Sequence, residues 1–148
     1  MWDGIELSRH VKVSRGVPGA KDIDDLHAAG IRTVLDLRGD GEFAKDAPEP
    51  AEEAALLAAR GIAYKRRPLP FSGFTEADLD EIGGVLREAD KPVLVHCASG
   101  KRAGMVALAH TCIEAGVPGE EMLEMARSLD VVFGNPEQQH MFARYVNV

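Results

Sequence analysis

At 148 residues, with 45% apolar and 28% charged side chains, the chain suits one globular domain over residues 1–148 with a real core. A formal charge of −7 argues against broad nucleic-acid binding, which needs a basic face, but not against a small anionic ligand held in a local field. No apolar stretch is long enough to span a membrane, and the amino end lacks the layout of a signal peptide, so a cytoplasmic protein with two reduced cysteines is expected.

His10–Arg15 reads as a weak edge strand. Gly30, Gly61 and Gly116 each close a helix and precede a β-branched residue. The first two lead into expected strands over Ile31–Arg38 and Ile62–Pro68. Asp46–Pro50 reads as a surface loop opening a helix. Leu79, Ile82, Leu86 and Ala89 have helical spacing, with Thr75 and Asp78 as an N-terminal capping pair. Val93–His96 is apolar until its last residue, as in the middle of a parallel sheet. An apolar helix over Met105–Ala115 is expected next, then a helix carrying Met122, Met125, Ala126 and Leu129. Asn135-Pro136 with Gln138 opens a last helix, carrying Met141, Phe142 and Tyr145. This alternation predicts an α/β fold with a central, mostly parallel sheet of four to five strands and helices on both faces. The acidic runs Asp22–Asp25, Glu52-Glu53, Glu76–Glu81 and Glu120-Glu121 read as solvated helix faces.

The chemistry concentrates in His96-Cys97-Ala98-Ser99-Gly100-Lys101-Arg102, where a buried strand gives way to a glycine-containing loop and then a helix. Free amides of such a loop and of the following helix end converge on a tetrahedral anion. Cys97 lies at the base of this nest, where amides, helix dipole and Arg102 favour a thiolate. Arg102 can clamp two anion oxygens with its planar fork, and Gly100 allows the loop to turn. Lys101 adds local positive potential. A hydrolytic cycle through cysteinyl-phosphate follows from these parts, with the amides of Ala98, Ser99, Gly100, Lys101 and Arg102 around the phosphate.

The segment resembles the phosphate-binding loop of protein tyrosine and dual-specificity phosphatases, and most of all that of the small bacterial DUF442 or beta-lactamase-hydrolase-like phosphatases. Ser14-Arg15-Gly16-Val17-Pro18, then Gly30–Arg38 with Glu42 nearby, is similar to that family's opening. The resemblance covers roughly residues 12–115. It implies a phosphorylated protein or small molecule as substrate, a supporting role for His96 at the Cys97 backbone, and no cofactor.

Three features depart from the common phosphatase pattern. Four residues rather than five separate Cys97 from Arg102, and Ala103 stands where Ser or Thr is usual. The loop Leu69–Phe74, where the general acid is expected, holds no carboxylate, so the acid is unidentified; Asp40, Glu42, Glu76 and Asp78 are the substitutes to weigh. The short loop also resembles that of rhodanese sulfurtransferases, and Val34–Phe43 is similar to a further rhodanese segment, which leaves a persulfide on Cys97 as the alternative. A catalytically weak module that binds phosphorylated ligands is a third reading. Arg38 and Lys65-Arg66-Arg67 end strands and are candidates for the pocket rim. Cys112 reads as core, and the histidines have no metal-ligand spacing, so no metal is expected.

Overall fold

The computed structural model describes residues 3–71 and 74–147. Five strands form one sheet in the order β1-β2-β5-β3-β4. β1 (Gly4–Glu6) runs antiparallel to β2 (Val11–Ser14), while β2, β5 (Val93–His96), β3 (Thr33–Asp36) and β4 (Ala63–Arg66) are parallel. The helices are α1 (Ala20–Ala28), α2 (Pro50–Ala58), α3 (Glu76–Glu88), α4 (Lys101–Ala115), α5 (Gly119–Leu129) and α6 (Pro136–Val146).

Successive residues of a strand point to opposite faces, so each strand feeds two cores. Val34 and Leu94 pack with Ile23 and Leu26 of α1 and Leu57 of α2. Leu35, Val93 and Val95 pack on the other side with Leu79 and Ile82 of α3, Leu108 of α4, Met122 of α5 and Phe142 of α6. The expected helices on both faces are therefore present. α4 is buried along almost its whole length from Arg102 to Cys112, which explains its lack of a polar stripe.

Local signals hold where the chain must turn. Gly30, Gly61 and Gly116 all adopt positive φ after their helices. The Asp78 N–H donates to Thr75 Oγ1 and the Thr75 N–H donates to Asp78 Oδ2, closing the expected cap of α3. The Gln138 N–H donates to Asn135 Oδ1 at the start of α6.

Three expectations change. β2 is an interior strand, because β1 covers its outer edge; β1 is only three residues long with Ile5 alone buried, too short to show a period. α4 begins at Lys101 rather than Met105, so Lys101 and Arg102 belong to its first turn and not to the loop. Glu53 is not on a solvated face but fully buried. It lies four residues before buried Leu57 and shares its side of α2.

Candidate active site

The register pairs Asp36 with both His96 and Arg66 at the carboxyl edge of the sheet. Cys97 follows immediately and is fully buried, whereas Ala98 and Ser99 are exposed. The Gly100 N–H donates to Cys97 Sγ at 3.2 Å. The N–H groups of Ala98, Ser99, Lys101, Arg102 and Ala103 have no acceptor among the described residues, as expected of a loop and a first helical turn. Thus the sulfur sits at the base of a ring of free amides suited to a tetrahedral anion.

Gly100 makes this turn possible. Its φ is +88°, and a Cβ there would stand 2.8 Å from Arg15 Cα and 3.1 Å from Arg15 O. Gly100→Ala should therefore cost at least the roughly 1–2 kcal/mol of a left-handed L-residue and lower the melting temperature by several degrees. An unchanged melting curve would show that the loop can back away from Arg15 freely.

Arg102 is almost wholly buried and gripped along one edge. Nη1 donates to Glu42 Oε1 at 2.9 Å and to Leu69 O at 2.6 Å, while Nη2 donates to Glu42 Oε2. Burial alone would raise the Glu42 carboxyl, but the bonds from Arg102 and from the Gly39 N–H outweigh it and hold it below the usual range. Counting donors, Nε–H and the second Nη2–H remain without an acceptor among the described residues. They form a side-on fork for two oxygens. The ring of Phe71 stacks on the guanidinium face, 4.1 Å from the carbon to the ring centroid.

Beneath the loop lies a charged cluster with no exposure. Arg38 donates through Nε and Nη2 to Asp36, through Nη2 to Glu53 Oε1 at 2.9 Å, and through Nη1 to Pro48 O. The Tyr64 hydroxyl donates to Asp36 Oδ2 at 2.6 Å. His96 Nε2 faces Glu53 Oε2 at 2.6 Å, and Nδ1 faces Cys97 O at 3.4 Å. A carbonyl only accepts, so Nδ1 is the donor in the contact with the Cys97 backbone. Arg38 does not rim the pocket; it neutralises two buried carboxylates. Ligand atoms of Asp36, Glu53 and His96 come within 4.8 Å of one another, but the Arg38 guanidinium already supplies the cation among them.

The other candidate acids are placed as follows. Asp40 accepts from Arg66 at 2.9 Å, Asp78 from Arg67 at 2.8 Å, and Glu76 lies 3.8 Å from Arg144 of α6. Arg66 and Arg67 are engaged by these contacts, and Lys65 is exposed. Ser72 and Gly73 of the loop where the acid is expected lie outside the described residues. Glu42, weighed above as a proton donor, instead holds Arg102. Cys112 is fully buried, and burial pushes its thiol up.

A family model for the beta-lactamase hydrolase-like protein, phosphatase-like domain, matches residues 6–112. A beta-lactamase hydrolase-like protein of Xylella fastidiosa (strain Temecula1) is 30% identical over 118 residues, which are 80% of this chain and 27% of that protein. The chain thus spans about a quarter of the length of such curated relatives. A candidate phosphatase of the DUF442 group from Shewanella putrefaciens shares the fold with a TM-score of 0.75 at 21% identity, covering 96% of this chain and 89% of that one. Tk-PTP in its active form does so with a TM-score of 0.76 at 23% identity, covering 99% and 97%. On the fold of the protein tyrosine and dual-specificity phosphatases, the chain belongs to the family of the phosphatase-like domain of beta-lactamase hydrolase-like proteins.

Proposed function

We propose that this chain hydrolyses phosphate monoesters through a cysteinyl-phosphate on Cys97. The observation that carries the reading is the free fork of Arg102 beside the amide ring that closes over the Cys97 sulfur. The phosphate oxygens take the amides of residues 98–102 and the Arg102 fork. The thiolate attacks phosphorus in line with the departing oxygen, and these donors meet the charge that grows on the non-bridging oxygens. Water then releases inorganic phosphate and restores the thiolate. His96 takes no proton in this scheme; it fixes the Cys97 carbonyl. The substrate is a phosphorylated protein or small molecule.

The test is hydrolysis of nitrophenyl phosphate by the parent chain and by Cys97→Ser, with the intact mass recorded after rapid acid quench. Expected results are turnover in the parent alone and a phosphoryl adduct on Cys97. A persulfide on Cys97 after thiosulfate treatment, with no ester hydrolysis above the Cys97→Ser background, would establish a sulfurtransferase instead.

A further inference from the structure

Phosphoryl transfer from an unactivated ester needs a proton for the departing oxygen, and the carboxylates already named are unfit to give one. Glu42 is held ionised by Arg102 and the Gly39 N–H. Asp78 is held likewise, by the Thr75 N–H and then Arg67. Asp40 is paired with Arg66, Glu76 faces Arg144 of α6, and Asp36 and Glu53 are buried against Arg38. These contacts already occupy the carboxylates.

Asp46 differs from all of these. It stands in the segment between β3 and α2, is exposed, and has no hydrogen-bond or ion-pair partner among the described residues. The Ala47 N–H donates to Ala44 O at 3.2 Å, so a tight turn fixes the Asp46 backbone without using its side chain. Asp46 also lines a cleft of about 220 Å³ together with Val17, Glu42 and Ala98. Ala98 is the first loop residue after Cys97, and Glu42 is the residue that grips Arg102. The cleft therefore sets the free carboxylate beside the residue that follows Cys97 and the residue that binds Arg102.

We propose that Asp46 is the general acid of the first step and the general base of the second, supplied from the β3–α2 segment instead of the segment after β4. This rests on the phosphatase reading. As the bond from Cys97 Sγ to phosphorus forms and the ester P–O bond breaks, the Asp46 carboxyl gives its proton to the leaving oxygen, releasing an alcohol or phenol. The resulting carboxylate then takes one proton from the water whose oxygen attacks phosphorus. The S–P bond breaks, and hydrogen phosphate, the thiolate and the protonated carboxyl are produced.

The experiment measures kcat/KM, which reports the first step alone, over dinitrophenyl, nitrophenyl, phenyl and alkyl phosphates. It compares the parent, Asp46→Asn, Asp46→Ala and the control Asp40→Asn. Both Asp46 variants should lose about 10²-fold or more on phenyl and alkyl phosphates and little on dinitrophenyl phosphate, whose oxygen leaves unaided. Asp40→Asn should follow the parent on every ester. Equal losses on all four esters, or none on any, would overturn the assignment of Asp46 while leaving Cys97-dependent hydrolysis standing. A parent chain with no Cys97-dependent hydrolysis of any ester would overturn the phosphatase reading, and this inference with it.

Discussion

Arg102→Lys should lower kcat/KM for nitrophenyl phosphate by about 10²–10³-fold, the loss seen when one transition-state donor is removed. Arginine has five N–H donors in one plane, and here three are spent on Glu42 and Leu69. The remaining two lie side by side and can meet two oxygens at once. Lysine keeps the charge and could still approach Glu42, but a rotating ammonium cannot hold Glu42 and a phosphate edge in a fixed plane. Glu42→Gln should lose less, since the amide keeps the shape and one acceptor while the Arg102 charge remains. The check is steady-state kinetics with melting temperatures alongside. A lysine variant that turns over like the parent would show that the Arg102 edge does not meet the substrate.

What could be read in the sequence is what lies close together along the chain. Cys97, Gly100 and Arg102 fall within six residues, and the strand before them and the helix after them are contiguous, so the loop stands out whole. The helix ends at Gly30, Gly61 and Gly116 are equally local. The start of α4 is not legible in the same way, because Gly100 offers no capping side chain and acts only through its positive φ. Pairings over distance leave still less trace. Arg38 and Glu53 are 15 positions apart, His96 and Glu53 are 43, and Arg102 and Glu42 are 60. A charged residue on a strand end or helix reads as solvated by default, since lone charges rarely stay dry. Only the register, which sets Asp36 beside His96, shows that these charges meet under the loop. The i, i+4 relation of Glu53 to Leu57 was the one local hint that Glu53 points inward.

Arg38→Met is expected to destabilise the fold by about 3–5 kcal/mol, because it strands buried carboxylates without their cation. Methionine matches much of the side chain's length but donates nothing to Asp36, Glu53 or Pro48 O. Adding Glu53→Gln removes one stranded charge, so the double variant should be less unstable than the sum of the two single changes. Strict additivity would mean that the pair is uncoupled despite its 2.9 Å contact. The pH dependence has a definite sign. Burial alone would raise Asp36, but the bonds from Arg38, with His96 and Tyr64, outweigh it and lower the carboxyl. A carboxyl lowered by folding adds stability that is complete above its ordinary value of about 3.9 and is lost as pH falls through the folded one. Without Arg38 that lowering shrinks, so the variant should lose less stability than the parent as pH falls below about 3.9, and the gap between the two should narrow. Urea midpoints between about pH 3 and 7 measure this directly. Glu53 also faces His96, whose other nitrogen sits against the Cys97 carbonyl. The folded fraction of Arg38→Met should therefore turn over nitrophenyl phosphate more slowly as well. A variant as stable and as active as the parent would show that the cluster neither holds the fold nor supports Cys97.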